Sequence, residues 1–226
     1  MRMTRLAILA APVLFAVPAQ AQLTQQQIHA AGLGAQQMAV DVNTPTNLGI
    51  AGGTGNLGCL GVVYLNGEYF VSARGTTDPT TGNWNSAAPH TIYVYDSAGN
   101  LVREFSQGAT TAGTAWGYRD GATDGQSLMF GYDGGIHVFD TDGNEVNTVL
   151  AANGPQTITQ PIYSAAFGTV HRAVAYNPMG NGGDGSIWTA SFASDLVEID
   201  LDGNILTQHV ADGWSLYGLA WDPFTQ

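Results

Sequence analysis

The chain has 226 residues with 30 glycines, one cysteine and no lysine, and its 18 carboxylates against six arginines give a formal charge of −12. So acidic a surface repels phosphate backbones and anionic lipid heads, which removes nucleic acid from the expected partners. One cysteine excludes an internal disulfide framework, and Cys59 is read as a small buried apolar residue.

The first element is a targeting segment. Arg2 and Arg5 precede an apolar run over 6–17, Pro18 breaks it, and Ala19-Gln20-Ala21 fits a small-x-small cleavage site. The run is too short to span a bilayer, which takes about 20 residues. The expectation is a leader over 1–21, cleavage before Gln22, a secreted, periplasmic or surface-exposed mature protein and no membrane span. Removing the leader leaves four arginines: Arg74, Arg103, Arg119 and Arg172.

Residues 22–57 form a linker. A short helix could begin near Thr24, weakened by Gly32 and Gly34, and residues 39–42 read as an outer strand that closes a ring. From residue 58 onward short alternating runs are separated by Gly, Asn and Asp turns, with no sustained helical period. That pattern predicts an all-β protein.

The turns repeat. "YVYDSAGNLV" (93–102), "HVFDTDGNEV" (137–146) and "VEIDLDGNIL" (197–206) place Asp96, Asp140 and Asp200 in register, each followed by Gly-Asn. A calcium loop needs several oxygens at fixed positions and a Gly at its sixth place. Here the Gly is fourth, and Ala98 replaces the middle acid in the first copy. The reading is a β-hairpin turn used three times, since Gly and Asn tolerate positive φ.

A second element precedes each hairpin. "GYRDGATDG" (117–125), "VHRAVAYNP" (170–178) and "LYGLAWDP" (216–223) put Ala122, Ala175 and Ala220 in register, and "GVVYLNG" (61–67) is an earlier copy with Tyr64 in that place. The spacings of 58, 53 and 45 residues suit a four-stranded blade stretched by loops. Small residues on the first strand fit an innermost strand, where blades crowd together. The predicted fold is a β-propeller of four-stranded antiparallel blades at 58–107, 115–150 and 168–210. A fourth blade over 214–226 is represented by its first strand, which leaves an open arc. The insertion over 75–90 becomes a loop inside the first blade. Apolar residues of the third blade, including Leu196, Val197, Ile199, Ile205 and Leu206, would then be exposed and could drive association through open blade ends.

"RAVAYNP" (172–178), "IWTASF" (187–192), "LVEIDLDGN" (196–204) and "YGLAWDP" (217–223), with a second copy over 119–144, resemble bacterial secreted β-propeller repeat proteins of the broad NHL and YVTN-like type. The resemblance covers 58–223. It implies the fold and is nearly silent on activity, because propellers host binding proteins, lactonases, oxidoreductases and scaffolds. Such proteins often carry further blades and a C-terminal sorting or anchoring domain, so the chain is expected to be a C-terminally truncated fragment.

Catalytic signatures are sparse: no GxSxG elbow, HExxH, CxxC or phosphate loop occurs, and no cofactor is expected. A lactonase-like metal site would draw on Asp120, Asp124 and Asn177, of which the last two also hold turn positions. Arg119 and Arg172 share a place three residues before the registered Ala, and Trp116 and Trp214 share one six before it. Positions leading into the innermost strand converge on a channel mouth, so Arg119, Arg172, Trp116, Trp214, Tyr217 and Asp120 are the ligand-binding candidates. The competing role is bracing between blades, which repeated positions often serve. The expected function is a secreted binding module for an extracellular or envelope carbohydrate, peptide or protein. The alternative is a channel-sited hydrolase or oxidoreductase, metal-dependent and lactonase-like, completed by further blades.

Overall fold

The structure is a computed structural model that describes residues 59–74, 76–77, 84–85, 90–108, 116–132, 134–163, 171–192, 194–213 and 215–222. The predicted leader, the helix near Thr24, the closing strand over 39–42 and Trp214 lie outside the described residues. The chain divides into two units at 41/42, and all that follows belongs to the second. No helix among the described residues is long and apolar enough to cross a membrane.

The described part is all-β, built from antiparallel sheets of propeller-like blades. Blade one contains β1 (Cys59–Leu65), β2 (Glu68–Ala73), β5 (Thr91–Tyr95) and β6 (Leu101–Ser106), in the order β1-β2-β5-β6. Between β2 and β5 the predicted loop carries a two-residue ladder, β3 (Thr76–Thr77) against β4 (Trp84–Asn85). Alternation decides which face each residue serves. Phe70, Ile92 and Val94 point to one side, and Val71, Tyr93 and Tyr95 to the other.

Blade two contains β7 (Asp120–Thr123), β8 (Leu128–Tyr132) and β9 (Gly135–Phe139), and there its sheet stops. The predicted four-stranded blade over 115–150 calls for a fourth strand after the Asp140 turn. Instead β10 (Thr148–Ala151) turns back onto β11 (Gly154–Thr157) as a separate hairpin. Only the first residues of the predicted strand reach β9, through the Phe139–Glu145 bridge and the Val146 N–H to the Val138 carbonyl, and the rest of that edge is satisfied another way. Gln160 accepts the Val138 N–H at 2.9 Å and donates to the Val138 and Val146 carbonyls, while Ile162 exchanges both backbone bonds with Ile136. A side-chain amide carries a donor and an acceptor as a peptide unit does, so Gln160 replaces one rung of the missing strand.

Blade three, β12 (Ala173–Asn177), β13 (Ser186–Ala190), β14 (Leu196–Ile199) and β15 (Ile205–His209), has the full order β12-β13-β14-β15. The segment expected to open a fourth blade pairs with the sheets, among the described residues, only through the Phe192–Ser215 bridge.

Apolar layers lie between blades. Val63, Phe70, Ile92 and Val94 of blade one meet Leu128, Phe130 and Phe139 of blade two, with Tyr118 at the centre. Met129, Ile136 and Val138 of blade two meet Val174, Ile187, Val197 and Ile199 of blade three. Val197 and Ile199 are therefore core, contrary to the expectation of an exposed apolar face; Ile205 and Leu206 on the edge strand are exposed. The reason is the period of two: Val197 and Ile199 share one face, and blade two covers it. Cys59 is also a correction. It is exposed at the start of β1, not buried.

The three hairpin turns are copies of one another. Asp96 accepts the backbone N–H groups of Ala98 and Asn100 on Oδ1 and the Asn100 side-chain amide on Oδ2. Asp140 with Asn144 and Asp200 with Asn204 repeat the pattern. The shared Gly takes φ near +86°, for example +84° at Gly99 and +88° at Gly143, which side chains rarely adopt.

Candidate functional site: an arginine and aromatic cup at the channel mouth

The inner strands set the site. β1 packs against β7 and β7 against β12, so the first strands of three blades stand side by side. The approach is close: a Cβ on Gly61 would lie 2.8 Å from the Asp120 Cα. A cavity of about 880 Å³ runs along these strands, and Tyr64, Ala122, Ala175 and Ala220 all line it. The four positions aligned by sequence thus face one channel.

Asp120 sits where the strands converge. Its Oδ2 accepts the backbone N–H of Val174 at 2.7 Å and of Leu219 at 3.1 Å, and its carboxylate also takes the Gly121 amide. Gly121, Val174 and Leu219 hold the same place, one residue before the registered Ala, in three successive copies. One carboxylate therefore ties three inner segments together. Burial pushes its pKa up to about 6 despite those three amides, because removing a charge from water outweighs the bonds it gains.

A second cavity, of about 250 Å³, lies at the N-terminal end of the inner strands and is lined by Leu60, Trp116, Arg119, Arg172, Phe192 and Tyr217. Four of the six ligand candidates are together here. Asp120 lines the channel, its carboxylate taken up by backbone amides, and Trp214 lies outside the described residues. Phe192 was not singled out from the sequence. It lies two residues past Ala190, where the pairing of β13 with β12 ends.

The arginines rest on rings. The Arg172 guanidinium carbon lies 3.8 Å from the Phe192 ring centre, and Phe192 meets Tyr217 edge-on at 4.3 Å. Arg119 lies 5.5 Å from the Trp116 ring, whose other neighbour is Arg74 at 3.9 Å. Such cation–π contacts hold a guanidinium plane while leaving its edge to donate. Arg172 donates its Nε to Ser191 Oγ at 3.3 Å, and no carboxylate pairs with it among the described residues. Arg103 shows the contrast, gripping both Glu68 oxygens at 2.6 and 2.8 Å.

The metal candidates are engaged in the backbone. Asp124 accepts the N–H groups of Gln126, Ser127 and Leu150, and Asn177 accepts that of Met179. Both residues hold turns or join neighbouring elements, as their turn positions suggested.

Blades of antiparallel strands around a shared channel define a propeller-like, all-β repeat fold. No family model matches the chain, and neither does any curated protein. Among solved structures, the computationally designed Ika4 protein is similar at 14% identity over 73% of this chain and 79% of that one, with a TM-score of 0.41. Sqt1 of Saccharomyces cerevisiae is 9% identical over 69% of this chain and 48% of its own, at 0.36. Raptor of Chaetomium thermophilum is 16% identical over 73% of this chain and 18% of its own, at 0.33. Likeness at this level carries nothing about chemistry.

Proposed function

We propose that this chain is an exported binding module of the NHL and YVTN-like propeller type, which captures an extracellular or envelope ligand in the cup at its channel mouth. The observation that carries the reading is the convergence of Trp116, Arg119, Arg172, Phe192 and Tyr217 on one small cavity in a protein whose surface is otherwise acidic. Concave sites with apolar walls and a few oriented polar groups are where propellers and other folds take ligands. Trp116 and Tyr217 keep 37% and 68% of their surface exposed, so the cup has wet aromatic edges as well as charge.

The binding reading is favoured over a channel enzyme because the channel carboxylates already accept backbone amides. Titrating isotope-labelled protein with a panel of oligosaccharides and short peptides tests it. Backbone shifts should cluster at Trp116, Arg119, Arg172, Phe192 and Tyr217, without turnover of the ligand. Metal-dependent turnover, or shifts confined to residues away from the mouth, would overturn it.

A further inference from the structure

We infer that the group the cup takes is the carboxylate of a ring-shaped acid, an uronic acid residue at the end of a glycan, with Arg172 as its principal contact; this rests on the binding role proposed above. The chain has 18 carboxylates and four arginines outside the leader, so a guanidinium without a carboxylate partner is unexpected on electrostatic grounds. Arg103 meets that expectation by pairing with Glu68. Arg172, by contrast, has no acidic partner among the described residues and borders the cavity.

Its surroundings explain how it is held there. The plane lies on Phe192 and Nε is anchored on Ser191, which fixes the fork and leaves the terminal N–H groups for an external acceptor. A carboxylate matches that fork with two parallel charge-assisted bonds. Polyphosphates fit poorly, since the acidic protein repels a ligand of high charge.

The walls specify the rest of the ligand. Trp116, Phe192 and Tyr217 surround the charge, and Trp116 and Tyr217 combine an apolar ring with a polar tip at the water boundary. Such surfaces suit a body with one C–H face and hydroxyls around its rim, which is the pattern of a sugar ring. The volume of about 250 Å³ lies below the usual range of roughly 300–1,000 Å³ for drug-sized ligands, so a single terminal residue fits better than a longer stretch.

The test uses the purified chain and three probes: methyl glucuronoside, neutral methyl glucoside and N-acetylphenylalanine, the last presenting a carboxylate on a peptide-like body. Binding is followed by tryptophan fluorescence and calorimetry. The glucuronoside should bind at least tenfold more tightly than the glucoside, and Arg172→Gln should bring that ratio close to one. Arg172→Lys should restore only part of it, because an ammonium does not present the fork. Tighter binding of N-acetylphenylalanine, or an acid-to-neutral ratio unchanged in Arg172→Gln, would overturn the inference while leaving a binding cup in place. Failure of all three probes would overturn the uronate inference, and the cup itself falls only if the wider panel also leaves its residues unshifted.

Discussion

Asp140 at a hairpin tip and Asp120 at the channel mouth are both held by amide N–H groups, yet they respond in opposite ways. Each carboxylate accepts several N–H groups within its own repeat or across repeats. At the tip, burial is the largest single influence on Asp140 and raises its pKa, but the Asn144 side chain and the local amides together outweigh it and the net shift is downward. At Asp120 burial wins, and the value rises to about 6. The lesson is that accepting amide N–H groups holds a carboxyl's pKa down only where burial does not outweigh them. The tips serve the repeat alone, whereas the mouth combines a buried lock with an arginine cup above it.

The largest effect that would break this comparison is in pH dependence. Asp120 holds its proton more tightly in the folded state than an unfolded Asp does, about 6 against 3.8. Its contribution to stability is thus fullest below about pH 4 and is lost as pH rises through 6. His171 is buried beside Thr189, and burial lowers its pKa from 6.5 to about 4. Its contribution is fullest above about pH 6.5 and is lost as pH falls through 4. Each swing is worth about 3 kcal/mol, and the two oppose one another over the same window. The protein should therefore melt at a nearly constant temperature between pH 4 and 6.5. Asp120→Asn should uncover a fall in stability toward acid, and His171→Asn a fall toward neutral pH. Parallel profiles for both variants, measured by chemical denaturation, would contradict the assignment.

A smaller effect separates the tips from one another. Gly99 and Gly143 hold the same turn place with the same positive φ. A Cβ on Gly99 meets nothing within 4 Å, whereas one on Gly143 would sit 2.5 Å from the Phe105 ring of blade one. Gly99→Ala should cost about 1 kcal/mol, for the left-handed backbone alone. Gly143→Ala should cost about 3 kcal/mol, since overpacking adds to it. Equal losses in a denaturant titration would mean that the second tip does not pack on the first blade.

Smaller still is the loss expected at blade two's edge. Gln160→Ala removes three bonds to the backbone of Val138 and Val146, and should destabilise the chain by roughly 2 kcal/mol. Hydrogen exchange should quicken at Val138, with blade three unaffected. Exchange that stays slow there would show that the Gln160 rung is dispensable.

Much of this architecture could be read before any coordinates, for a physical reason. Turn chemistry and inner-strand crowding are local demands that recur, so Asp-x-x-Gly-Asn and the registered positions 64, 122, 175 and 220 stand out as self-similar text. The cup was partly legible by the same route, through the shared offset of Arg119 and Arg172. What escaped were single solutions that do not repeat. Gln160 replaces a strand rung with a side chain, and nothing in "TQPIY" announces it. Asp120 reaches amides 54 and 99 residues away, a closure that no local pattern encodes. Phe192 joins the cup because Arg172 lies on it, a contact between elements that strand periodicity does not express.

Whether Arg172 is held for a ligand or braces the blades is decided by measuring the stability and the ligand binding of Arg172→Gln together. The account predicts a change in unfolding free energy within about 1 kcal/mol, as expected for a part-exposed residue with one neutral hydrogen bond, and a loss of binding of at least tenfold. A loss of several kcal/mol in stability with binding unchanged would make the residue a brace and contradict the account.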